Sequence, residues 1–102
     1  MKVHRPSEIP AQPVNAPLFT GGPRNFGPGA RNKLHTHSSD QVLFVTAGKG
    51  IIATETEQQI IVPGDVVHIP SEEKHWHGAT PDSAFSHIAL TAKGSTTTQV
   101  EK

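Results

Sequence analysis

The sequence predicts an all-β fold, a sandwich or barrel of short strands. Of 102 residues, nine are glycine and nine are proline, and they cut the chain into short pieces. The apolar runs between these breaks are brief and rich in β-branched residues, as at 41–47 and 65–69. No stretch has the long alanine- and leucine-rich periodicity of a helix bundle, and only 33% of residues are apolar. A core drawn from so few residues is small, so a metal or a partner subunit is expected to help stabilise it.

The elements follow in order. Pro6, Pro10, Pro13 and Pro17 fall within residues 1–17. Proline has no N–H for a ladder, so this segment reads as an extended arm over the surface or a neighbour, anchored by Leu18 and Phe19. Residues 20–29 are rich in glycine and proline, with Phe26 as the only bulky apolar side chain, and carry no strand signal. Strands are expected at 33–37 and 41–47, and Gly48-Lys49-Gly50 then turns the chain into a hairpin of 51–55 and 59–62. Pro63 and Gly64 suit the central positions of a type II turn, the second of which needs positive φ. Further strands are expected at 65–69, 75–79 and 84–92, separated by a polar bend at 71–74 and a turn at 80–83. Residues 94–102 read as a polar, frayed tail. The expected organisation is an N-terminal arm at 1–28, one barrel at 29–93 and a tail at 94–102.

Nine basic and nine acidic residues balance, and no basic patch is interleaved with aromatics, so nucleic acid is not an expected partner. No apolar run approaches the ~18 residues of a membrane span. The start, Met1-Lys-Val-His-Arg-Pro, lacks the apolar core of a signal peptide, so a cytoplasmic protein without a membrane partner is expected. The lack of cysteine excludes disulfides, thiolate ligands and a cysteine nucleophile.

The chemistry gathers on histidines. Residues two apart on a strand share a face, so His35 and His37 form a chelating pair. Neutral imidazole is the commonest protein ligand for transition metals. His75 follows Gly64 and Pro70, and His77 shares its face. His87 stands in the small and apolar run 84–90 and is the candidate general acid or base. A lone buried histidine is more often structural, and that reading is kept for His68, which alternates with Val67 and Ile69. Trp76 faces away from His75 and reads as packing or interface, and Glu73 and Lys74 read as solvated turn residues. Val42 and Phe44 point opposite to Gln41, Leu43 and Val45. With Val66 and Trp76 they are expected to form an outer patch that a second copy covers, giving a homodimer.

The order Gly29, His35, His37, Gln41, Gly48, followed by Gly64, Pro70, His75, resembles the two sequence motifs of the cupin family. Gln41 stands where that family commonly has an acidic residue. The resemblance implies a small antiparallel β-barrel of jelly-roll type, the double-stranded β-helix, with a metal inside held by His35, His37, Gln41 and His75. The runs His35-Thr-His37, Gln41-Val-Leu-Phe-Val-Thr-Ala-Gly48, Glu73-Lys-His75-Trp-His77-Gly-Ala and His87-Ile-Ala are most similar to small bacterial cupins related to carboxymuconolactone-decarboxylase-like proteins. That subgroup includes manganese-dependent cupin hydroxynitrile lyases. It implies a divalent transition metal, manganese first with iron, nickel or zinc as alternatives, a glutamine in place of a glutamate ligand, and His87 over the metal as a catalytic residue; His77, on the same strand face as His75, is the second catalytic or pocket candidate. The reaction it implies is lyase chemistry on a small organic molecule. A cupin dioxygenase, decarboxylase or isomerase stays open, as do a non-catalytic metabolite-binding cupin and a purely structural metal site. One departure stands out: the segment between Leu18 and the first motif is short and proline-broken compared with relatives.

Overall fold

The computed structural model describes residues 1–4 and 19–101. Among them the chain forms ten strands: β1 Lys2–His4, β2 Phe19–Phe26, β3 His35–His37, β4 Gln41–Gly48, β5 Gly50–Thr54, β6 Gln58–Ile61, β7 Val66–Ile69, β8 His75–Ala79, β9 Phe85–Ala92 and β10 Thr97–Gln99. They build two five-stranded antiparallel sheets, ordered β1-β7-β4-β9-β2 and β10-β3-β8-β5-β6, the layout of a jelly roll. The all-β expectation is borne out. No helix of the described residues is long and apolar enough to cross a membrane.

Alternation decides what enters the barrel. On β4, Gln41, Leu43 and Val45 are buried while the residues between them are less so. Gln41 lies opposite Ile69 and Thr91, Leu43 opposite Val67 and Ala89, and Val45 opposite His87. Leu43, Ile52, Ile61 and Val67 have no exposed surface and form the centre of the apolar core with Phe85 and Ile69. Val62 and Asp65 close the predicted turn: the Asp65 N–H donates to the Val62 carbonyl at 3.0 Å, and Gly64 has φ +93°.

Three strands fall where the sequence shows no strand signal. β1 pairs with β7, β2 pairs along its whole length with β9, and β10 pairs with β3. All three are sheet edges, which need one partner rather than two. Pro23 sits in β2 for the same reason, since an edge strand tolerates a residue without an N–H. The proline-rich segment 5–18, including Leu18, lies outside the described residues.

The outer patch differs from expectation. Phe44 is flanked by Val66 and Ile88 in register, and Val42 by His68 and Leu90, so these residues share one face of the first sheet. Trp76 belongs to β8 in the other sheet, with the Arg31 guanidinium 4.4 Å from its ring, and so does not join them.

Candidate metal centre and adjoining cavity

Five of the seven histidines converge inside the barrel. His35 on β3 lies directly opposite His75 on β8, with ring centroids 4.3 Å apart. The His37 ring is 4.8 Å from His35 and 5.3 Å from His75. His77 lies 5.9 Å from His75, and His87 lies 4.7 Å from His77. Gln41, from the opposing sheet, places Oε1 3.0 Å from Nε2 of His75. The structure thus gathers His35, His37, Gln41 and His75 with His77 and His87 beside them.

The back nitrogens orient the rings. Nδ1 of His35 lies 2.6 Å from the Lys33 carbonyl, and Nδ1 of His75 lies 2.9 Å from the Glu73 carbonyl. A carbonyl only accepts, so both Nδ1 atoms carry the proton and both Nε2 atoms carry a lone pair. Nδ1 of His37 meets the Thr97 hydroxyl at 2.9 Å, and its Nε2 is buried with no hydrogen-bond partner. Such anchoring of the far nitrogen is how metal-ligating imidazoles are held. It also sets the bare Nε2 of His75 against the Gln41 oxygen, two acceptors in contact, an arrangement that a shared cation relieves.

Burial keeps the rings in the ligating form. It lowers the pKa of His37, with the His35 charge adding to it and the neighbouring Gln41 side chain opposing. It pushes His75 down to about 4 despite the Glu73 carbonyl. The 71–74 bend that delivers His75 is fastened by the Glu72 N–H, which donates to the His37 carbonyl at 2.8 Å. Glu73, expected to be solvated, instead faces the Met1 amino group at 3.2 Å.

His35, His75 and His77 offer ring nitrogens within 4.8 Å of one another, so three buried histidines could hold a metal on geometry alone. That grouping takes His77 where the motif takes His37. The two rings differ in their partners. Nδ1 of His77 lies 3.0 Å from Nε2 of His87, and the Asn32 amide lies 3.1 Å from Nε2 of His77, so both nitrogens are engaged. His37 leaves Nε2 bare, and we weight it above His77 as a ligand for that reason.

Asn32 was not singled out from the sequence. Its Oδ1 accepts from the His77 backbone N–H at 2.8 Å, which fixes the amide and turns its NH2 to the ring. The shorter ring contact, to Nε2, favours the His77 proton on Nδ1, where it donates to His87. Gly78 makes this possible: a Cβ there would lie 2.5 Å from the Ala30 carbonyl and from Arg31 Cα, so only glycine lets 30–32 run against β8. An asparagine shortly before a His-x-His pair is too common a pattern to reveal that role. His77 sits well below its ordinary pKa, through burial first and then the His87 charge. His87 is pushed to about 4 by burial first and then by the Arg24 guanidinium. His87 keeps a buried Nδ1 without a partner.

A cavity of about 330 Å³ opens beside the imidazoles. Its polar lining comes from His35, His37, His77, Gln41 and Asn32, and its apolar lining from Phe26 and Ala89. Arg24 also lines it. His77, not His87, faces this space; the fully buried His87 stands behind it. A larger hollow of about 410 Å³ lies among the acidic loops at 54–57 and 72–74 and touches none of the imidazoles.

Residues 24–90 match the Cupin domain family. The (R)-mandelonitrile lyase of Granulicella tundricola is 47% identical over 74 residues, covering 72% of this chain and 56% of that protein. An acireductone dioxygenase of Parasynechococcus marenigrum is 31% identical over 62 residues, covering 54% of this chain and 33% of that one. Among solved structures, a cupin-like protein of Thermotoga maritima superposes with a TM-score of 0.79 at 34% identity, covering 83% of this chain and 66% of the other. The chain spans about half the length of the lyase and a third of the dioxygenase.

Proposed function

The chain belongs to the cupin domain family, and on that footing we propose that it is a metal-dependent enzyme performing lyase-type chemistry on a small organic molecule. The observation that carries this reading is the bare, buried Nε2 of His37 beside the facing acceptors of His75 and Gln41. Three imidazoles and one amide oxygen suit a divalent first-row cation, and the resemblance to manganese-dependent cupins puts manganese first, with iron, nickel or zinc as alternatives. His35, His37, Gln41 and His75 would hold it. A bound cation of this kind supplies Lewis acidity to a substrate oxygen, undamped because no ligand is anionic.

The remaining work falls to the protein. The cavity seats the molecule against Phe26 and Ala89. His77 and His87 are neutral at neutral pH, since burial depresses both. A proton taken up by the pair is shared across the 3.0 Å contact between Nδ1 of His77 and Nε2 of His87. Asn32 holds the His77 ring in place for that exchange.

The likeness to (R)-mandelonitrile lyase supports this class of reaction and selects the probe. Manganese-loaded protein is mixed with mandelonitrile under anaerobic conditions, and benzaldehyde release is followed by absorbance. Release that disappears in His75→Ala is the expected result, and inactivity of fully loaded protein overturns the lyase reading. The likeness to acireductone dioxygenase favours a second reading, an oxygenase, which requires oxygen consumption that the lyase does not. Homodimerisation through Val42, Phe44, Val66, Ile88 and Leu90 completes the proposal. Phe44 and Ile88 are 36% and 37% exposed on that face, and the molar mass from light scattering tests it.

A further inference from the structure

Arg24 has no part in the ligand set or in the His77–His87 pair, yet it lines the same cavity. The β2–β9 register places it directly opposite His87, so its side chain leaves the strand on the inner face of the sheet. Among the described residues the guanidinium has one hydrogen-bond partner and no carboxylate partner. Nη1 donates to the Pro23 carbonyl at 3.0 Å, and an arginine has five N–H donors. The ion pairs among the described residues join Met1 to Glu73, Arg31 to Glu101, His68 to Asp40 and Lys74 to Glu55, and none includes Arg24.

No carboxylate of the described residues lines the cavity. The rest of its polar lining is imidazole and amide, and two of its lining residues, Phe26 and Ala89, are apolar. A fixed positive charge at the rim of such a space favours an anion among the molecules that enter it. A guanidinium fork meets a carboxylate through paired, charge-assisted hydrogen bonds. A volume of about 330 Å³ accommodates a small organic acid.

We propose that Arg24 makes this cavity a receptor for small arylalkyl carboxylates, with the carboxylate on the guanidinium and the apolar part against Phe26. The inference rests on reading the cavity as the substrate site, and it names the substrate class. A hydroxynitrile carries no anion, so its cleavage becomes a side activity of a site made for an acid, such as a 2-hydroxy acid.

Mandelate and its neutral isostere mandelamide separate these possibilities. Isothermal titration calorimetry at low salt measures both on metal-free and manganese-loaded protein, for wild type, Arg24→Gln and Arg24→Lys. Melting curves confirm that the variants fold, and Arg24 is an exposed residue of an edge strand. Wild type is expected to prefer the acid about tenfold in both metal states, the size of one charge-assisted contact. Arg24→Gln is expected to lose that preference in the metal-free protein, and Arg24→Lys to keep part of it. Failure of wild type to bind mandelate, equal affinity for acid and amide, or an undiminished preference in Arg24→Gln overturns the carboxylate site and leaves the metal and lyase readings standing. Protein that takes up no manganese but keeps an Arg24-dependent preference overturns the metal reading and supports the carboxylate site.

Discussion

At the scale of single residues, the argument turns on which imidazoles are free to bind. His37 has an anchored Nδ1 and a bare Nε2, whereas His77 has both nitrogens engaged. His37→Ala is therefore expected to lose most bound metal, measured as metal per chain by mass spectrometry of the digested protein. His77→Ala is expected to keep its metal and lose about a hundredfold in turnover, the usual size of a general acid–base contribution. The reverse pattern would exchange the two roles. Gln41→Glu sets a carboxylate oxygen against Nε2 of His75, and adding an anionic ligand is expected to raise cation affinity while damping Lewis acidity. Equal affinity and equal turnover in that variant would remove Gln41 from the ligand set. His35 and His37 were legible because strand alternation converts spacing into facing, and His75 because its place after Gly64 and Pro70 resembles the second cupin motif. Asn32 was not, because its position depends on the backbone approach at Gly78 rather than on any local pattern.

At the scale of elements, the inner strands and the edge strand β6 declared themselves, and the other three edges did not. β4, β5, β7, β8 and β9 carry buried alternation or apolar runs strong enough to read. β10 is three polar residues, all exposed, and pairs only because β3 leaves an edge open. β2 holds two glycines and a proline and gains its form from β9. These edges still act on the site. Thr97 on β10 holds Nδ1 of His37 at 2.9 Å, so Thr97→Val is expected to cost about tenfold in metal affinity with little change in melting temperature. Competition titration against a chelator reads that loss, and an unchanged affinity would show that β10 merely covers the edge. Gly78→Ala acts on the other flank. Its Cβ would meet the Ala30 carbonyl and Arg31 at 2.5 Å, so the segment bearing Asn32 must move away from β8. A loss of about 1–3 kcal/mol in denaturant unfolding is expected from such overpacking, with reduced turnover.

At the scale of the whole molecule, placing several imidazoles inside one small barrel links its stability to pH. His75 and His87 drop from an ordinary 6.5 to about 4 on folding, chiefly through burial. A ring with a depressed folded pKa takes up its proton more readily in the unfolded chain. Above pH 6.5 the rings are mostly neutral in both states and the barrel keeps its full stability. As pH falls from 6.5 towards about 4, the unfolded chain gains protons that the barrel refuses, and stability is lost. The loss amounts to roughly 3 kcal/mol for each of the two rings by the lower end of that window, a large share of the stability of a small domain. Metal-free protein is therefore expected to melt at least roughly 10 °C lower at pH 5 than at pH 7.5, since about 1 kcal/mol moves a domain of this size by several degrees. His87→Gln removes one titrating ring and should flatten the curve even if it lowers the plateau. A melting temperature that stays level across this range in both proteins would mean that the rings are not held neutral in the core, and with that the case for a preformed ligand set would fail.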